Sequence, residues 1–177
     1  FLSNKTINGS LYLRSLTSVP KGFLSNTTIN GYLDLRRLTS VAKGFLSNTA
    51  INGSLDLRRL TSVPKGFLSN TTINGDLFLL SLESNIQGTV NKDLNVVSGR
   101  INIQGIIGDD LRLIASEADL NVYVFNELKV ISDVLRISNT TVVRGKSSIK
   151  STNAFIGGNF QGDVEIESKS VELNGLF

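Results

Sequence analysis

Apolar residues return along this chain at intervals far more regular than those of an ordinary globular domain. The segment FLSNKTINGSLYLRSLTSVPKG (1–22) recurs as FLSNTTINGYLDLRRLTSVAKG (23–44), FLSNTAINGSLDLRRLTSVPKG (45–66) and FLSNTTINGDLFLLSLESNIQG (67–88). The period is 22, and Phe1, Phe23, Phe45 and Phe67 fall in register. So do Ile7, Ile29, Ile51 and Ile73, each followed by Asn-Gly. Every unit holds a Leu-x-Leu core, such as Leu33 and Leu35 or Leu55 and Leu57. Alternation puts both leucines on one face of a strand, and Asn-Gly and Pro-Lys-Gly on either side are turn chemistry. No stretch sustains a helical period over ten or more residues. A unit this short cannot bury its own apolar face, so neighbours must stack, with equal positions about 4.8 Å apart. Phe, Leu, Ile and Asn then form ladders along the axis.

Beyond Leu77 the period shortens. Leu77-Phe-Leu79, Leu94-Asn-Val96, Leu111-Arg-Leu113 and Leu128-Lys-Val130 follow one another with a period of 17. A second series, Ile86, Ile103, Leu120, Ile137, Phe155 and Leu173, interleaves with them at intervals of 17 or 18. Gly88, Gly105, Gly145, Gly162 and Gly175 recur near the expected corners. Two short strands per rung fit a parallel β-helix. Leu77 belongs to both registers. The expectation is a single continuous all-β solenoid, with four 22-residue repeats over 1–88 and 17- to 18-residue rungs over 89–177.

Composition narrows the chemistry. The 177 residues include no Cys, His, Met or Trp, and 40% are apolar. No disulfide, thiolate nucleophile, imidazole base or ordinary zinc site can be built from such a set. The chain opens at Phe1, inside a repeat and without Met, and so reads as a fragment or processed segment. No apolar run is long enough to span a bilayer as a helix. The net charge is +3, and it is uneven. Residues 1–88 carry nine basic and four acidic side chains, whereas 89–177 carry nine and eleven. That polarity suits head-to-tail association or an anionic surface.

Two resemblances follow from these motifs. Through L-x-L-x-x-L-T-S-V-P the first half resembles leucine-rich repeats, although Leu16, Leu38 and Leu60 stand where that family places Asn. A straighter solenoid than the horseshoe is therefore expected. The second half carries Gly108-Asp-Asp-Leu-Arg-Leu, Val142-Val-Arg-Gly145, Ile156-Gly-Gly-Asn-Phe-Gln-Gly162-Asp-Val-Glu-Ile and Val171-Glu-Leu-Asn-Gly175. It resembles the bactofilins, bacterial cytoskeletal proteins that polymerise. The resemblance implies a right-handed parallel β-helix that assembles end to end without nucleotide or other cofactor, in the cytoplasm. Phage fibres and adhesins share such motifs, and that alternative implies an extracellular module that binds a protein, glycan or anionic partner.

Candidate sites are few. Arg14, Arg36 and Arg58 are in register, with Arg37 and Arg59 beside them and Lys21, Lys43 and Lys65 at the next turn. Stacked, they make a stripe suited to phosphate or anionic lipid, but Asp34 and Asp56 lie two residues before Arg36 and Arg58. No aromatics are interleaved for base stacking, which argues against nucleic acid. Thr17, Thr39 and Thr61 form a ladder without the Thr-x-Thr pairs of an ice-binding face. The densest carboxylates are Asp109-Asp110 and the alternation Asp163, Glu165, Glu167. The first lacks calcium-loop spacing, and the second has no accompanying sugar platform, so catalysis and metal binding are not expected. Phe1-Leu2 and Leu176-Phe177 leave both ends apolar, with no polar cap. Open edges with apolar end rungs favour end-to-end polymerisation. The expected role is a non-enzymatic filament or scaffold whose partner is itself, with a membrane surface or a protein as further candidate partners.

Overall fold

The computed structural model describes residues 2–64 and 66–176. Among them the regular structure is β-strand alone, and every strand pairing is parallel. Successive coils stack into a β-solenoid. One column runs from Leu11 through Leu33, Leu55, Leu77, Leu94, Leu111 and Leu128 to Ser147 and Val164, each residue in register with the next. Leu77 pairs with Leu55 on one side and Leu94 on the other, so long rungs pass directly into short ones.

The phenylalanines continue across the same junction. Phe45 and Phe67 stack with ring centres 6.0 Å apart and planes 4° from parallel, and Phe67 bridges to Ile86. The Phe column therefore becomes the column Ile86, Ile103, Leu120, Ile137, Ile156, Leu173. Here the structure corrects the expected series. Ile156 is in register and 1% exposed, whereas Phe155 is 45% exposed on the outer face. A 19-residue step leads from Leu128 to Ser147, followed by one of 17 to Val164. Two steps of 18 give the same sum, which hid the insertion. The extra residues lie in the turn after Ile137, where buried Thr141 donates its hydroxyl to the Leu120 carbonyl at 3.0 Å.

Strands are also longer than expected. Leu77–Val90, Leu94–Ile107 and Leu111–Val124 each run 14 residues through a bend. Serines recur at that bend, with Ala115 in their place in Leu111–Val124. Ser98, Ser132 and Ser151 point inward and donate to the carbonyls of Arg100, Val134 and Asn153, two residues on, at 2.8, 2.7 and 2.9 Å. A short hydroxyl that satisfies its own chain fits inside the bend without leaving a buried polar group unpaired.

The 22-residue rungs carry an additional loop at Phe-Leu-Ser-Asn. Leu24, Leu46 and Leu68 are buried there with φ of 57°, 54° and 62°, a left-handed conformation that costs about 1–2 kcal/mol for a residue with Cβ. Buried threonines hold it in place. Thr49 Oγ1 donates to the Leu24 carbonyl at 2.6 Å, and Thr71 Oγ1 to Leu46 at 2.5 Å. Over Leu68 the next rung supplies Gly88, where a Cβ would lie 2.7 Å from the carbonyl. Glycine is required because the shorter rung passes too close for any side chain. Along the Asn-Gly turns and on to Asn91-Lys92, Asn30, Asn52, Asn74 and Asn91 each donate their amide to the asparagine one rung earlier, at 2.6 to 3.0 Å.

The corrected register gives a direct test. Ile156→Ala should lower unfolding free energy by about 2–4 kcal/mol, and Phe155→Ala by less than about 1 kcal/mol. Urea denaturation followed by circular dichroism checks it, and equal losses would mean that the register is wrong.

Candidate functional site

The predicted basic stripe exists, but most of it is neutralised from within. Asp34 is flanked by Leu33 and Leu35 on its strand and is as buried as they are. Its carboxylate accepts from Arg14 Nε at 2.5 Å and from Arg36 Nε at 2.9 Å. Burial works to raise the Asp34 pKa, but the bonds from Arg36 and Arg14 outweigh it and hold the group below its ordinary value. Asp56, equally buried, accepts from the Tyr32 hydroxyl at 3.1 Å. Arg58 Nε lies 3.1 Å from its other oxygen, an ion-pair contact without hydrogen-bond alignment. Burial first, and then the Asp56 charge, push the Tyr32 phenol above its ordinary value. Aromatic rings close the ladder at both ends, with Arg14 over Tyr12 at 4.9 Å and Arg58 over Phe78 at 4.8 Å. Arg37 and Arg59 are exposed and form no ion pair among the described residues. Only these two of the five stripe arginines keep an uncommitted charge. Lys65 lies outside the described residues.

The remaining candidates sort by their partners. Asp93, Asp109 and Asp110 converge until their oxygens lie within 4.8 Å of one another. Arg112 fills that gap, donating to Asp93 at 2.8 Å and pairing with Asp110, while Asn126 donates to Asp110 at 2.7 Å. Hydrogen bonding to Asp93 raises the Arg112 pKa further. The cluster works as a corner clamp between rungs. Glu117 is held between Arg136 and Arg100 at 2.6 and 2.9 Å, and their hydrogen bonds lower its pKa. Glu165 and Glu167 are exposed, and Lys150 donates to both Glu167 oxygens. The hydroxyls of Thr39 and Thr61 are spent on the carbonyls of Thr17 and Thr39, at 2.9 and 3.0 Å.

Two shallow grooves flank the rod. One of about 540 Å³ surrounds the inserted turn and is lined by Asp119, Asn121, Arg136, Asn139 and Phe155. The other, about 520 Å³, runs along the axis between the column Phe78, Asn95, Arg112, Lys129 and the column Leu80, Val97, Ile114, Ile131. This second column was not among the expected features, although each member directly follows an inward apolar residue and so breaks the alternation, as in Leu79-Leu80 and Leu113-Ile114. Its signal was available as a further 17-residue series offset by three from Leu77.

At the far end, the strand Val164–Leu173 is hydrogen-bonded to Ser147–Ile156 and, among the described residues, to no other strand. Val171 and Leu173 are 41% and 51% exposed, whereas Ala154 and Ile156 above them are 2% and 1% exposed. Leu176 is in register with Asn159, and it is 71% exposed. At the other end Leu2, Ile7, Leu11, Leu13 and Leu16 are partly buried against the core. Of the expected terminal contacts, Phe1 and Phe177 lie outside the described residues. No family model, curated protein or solved structure matches the chain, so the bactofilin and leucine-rich resemblances rest on their motifs alone.

Asp34 supplies a pH test. Its folded pKa is depressed, so its stabilising contribution is present above the unfolded value of about 3.9 and is lost as pH falls through the lower folded value. Asp34→Asn should therefore flatten the acid limb of stability below about pH 4. Melting curves from neutral to acid pH measure this, and an unchanged acid limb would show that the carboxylate contributes nothing.

Proposed function

We propose that this chain is a non-enzymatic structural rod that lengthens by stacking the last rung of one copy on the first rung of the next. One observation carries the reading. The inward columns of the last rung are open at Val171 and Leu173, while the same columns are closed one rung above. The strand Val164–Leu173 also has a backbone edge with no neighbour among the described residues. A parallel edge of this kind accepts another parallel strand, and the apolar side chains below it gain a cover. The chain already stacks rungs of different length on each other between Leu55 and Leu94, and the junction between copies would join the same two rung lengths in the opposite order. Internal neutralisation of Arg14, Arg36 and Arg58 agrees with a structural role. Arg37 and Arg59 are what remain for the alternative, a module that captures an anionic partner.

Negative-stain electron microscopy of the 177-residue chain should show filaments one solenoid wide that lengthen with concentration. Leu173→Asp should shorten them to single particles with unchanged circular dichroism, because a charge would be buried at each junction. Particles never longer than one copy at high concentration would reject the reading. For the alternative, Arg37→Glu with Arg59→Glu should abolish binding to anionic vesicles and leave filament length unchanged.

A further inference from the structure

We infer that the groove beside the inserted turn is a binding cleft for a neutral oligosaccharide. It lies on the flank of the rod, so the inference stands whether or not copies join lengthwise. At about 540 Å³ it falls within the ordinary size range of a ligand site. Two outward rows bound it. One is Asn102, Asp119, Arg136 and Phe155, each in register with the next. The other lies two residues further along each rung and runs through Asn121, Ser138 and Gly157. The inserted turn makes the side wall. Buried Thr141 anchors it on the Leu120 carbonyl, and the Thr140 hydroxyl donates to Asn121 Oδ1 at 2.7 Å. The Asn139 side chain folds over Gly157, where any larger residue would collide with it.

The lining selects the ligand. Its charged members are Asp119 and Arg136, whose charges cancel. An ion gains nothing from such a site, and a phosphate finds no surplus cation. What the cleft offers is hydrogen bonding. The Asp119 carboxylate accepts no hydrogen bond among the described residues, and Arg136 Nη1 lies 3.6 Å from it. Arg136 is held in place by Glu117 through that same nitrogen, which leaves its other two nitrogens free to donate. The amide nitrogens of Asn121 and Asn139 have no acceptor among the described residues. Asn102 makes no hydrogen bond there either, and its amide oxygen is buried without a donor. An orphan of this kind calls for a partner, and turning the amide over would face that oxygen into the cleft. Phe155, 45% exposed, closes the far end with a ring.

A sugar answers each of these groups. Its hydroxyls donate to the carboxylate and accept from the amides and the guanidinium, and bonds to the two charged groups are the stronger kind. Its C–H face covers an aromatic ring. A peptide fits less well, because sheets capture peptides through a free strand edge, and the backbone under the cleft is already paired with the rungs on either side. From Asn102 to Phe155 is roughly 14 Å of stacked rungs, which accommodates a short oligosaccharide.

Saturation-transfer NMR on the 177-residue chain tests the cleft. The probes are neutral trisaccharides of glucose, mannose, galactose, xylose and N-acetylglucosamine, with a galacturonic acid trisaccharide and trialanine beside them. Transfer to at least one neutral sugar is expected, and none to the acidic sugar or the peptide. Phe155→Ala and Asp119→Ala should each weaken that binding about tenfold with unchanged circular dichroism. Phe125→Ala removes a ring of nearly equal exposure, 44%, from another face and should leave binding unchanged. No transfer to any neutral sugar would overturn the inference, as would equal or stronger transfer to the acidic sugar or to trialanine. Indifference to either cleft variant, or an equal loss with Phe125→Ala, would also overturn it by moving the binding elsewhere.

Discussion

Parallel, in-register hydrogen bonding between one rung and the next is the constraint on which everything else in this molecule depends. Each strand gives its backbone donors and acceptors to the rungs above and below, so equal positions must lie one above another. A side chain therefore meets its own counterpart first and the rest of its coil second. Residues that tolerate their own kind stack freely: the leucines inside, the Asn amides at the turns, the paired rings of Phe45 and Phe67. Charges stack only at the exposed surface, as Arg37 and Arg59 do, or beside a counter-charge. Arg14, Arg36 and Arg58 share a column only because Asp34 and Asp56 are buried beside it, and Glu117 sits between two arginines.

That constraint also explains how the rung can change size. Stacking demands register only along the paired segments, and turns absorb the remainder. Five residues disappear as the long rungs give way to short ones, three before the Phe67–Ile86 bridge and two in the Phe-Leu-Ser-Asn loop after it, and two return in the turn after Ile137. The Leu-x-Leu column and the column from Phe67 into Ile86 pass through both changes unbroken. Where a turn crosses closely over its neighbour, the structure resorts to glycine, as at Gly88 over Leu68.

A rod built this way has little room for a conventional pocket. Its inside is filled by apolar columns, and its acids serve as staples, as with Arg112 between Asp93 and Asp110. Besides the charges of Arg37 and Arg59 and the side chains of the cleft beside the inserted turn, what stays uncommitted among the described residues is the open edge of Val164–Leu173 and the outer column through Ile114. The open edge is a regular surface that matches another copy of the chain better than a small molecule, which is why assembly is the reading we favour.

The sequence by itself determined the solenoid. Periods of 22 and 17, Leu-x-Leu alternation and Asn-Gly turns leave no other way to bury the apolar positions, and the double membership of Leu77 placed the junction. It did not determine the bend at these serines, because a Ser that recurs in most rungs looks like ordinary surface until its hydroxyl is seen on its own backbone. Nor did it separate Phe155 from Ile156, since a 19-residue step followed by a 17-residue step matches two of 18, and only strand pairing distinguishes them. The arginine stripe was legible as a column, but its neutralisation was not, because the burial of Asp34 depends on rungs above and below that approach only in three dimensions. The outer apolar column was present as a periodicity. Its meaning was decided by the tertiary structure, because inward and outward faces of a strand differ only in what is stacked against them.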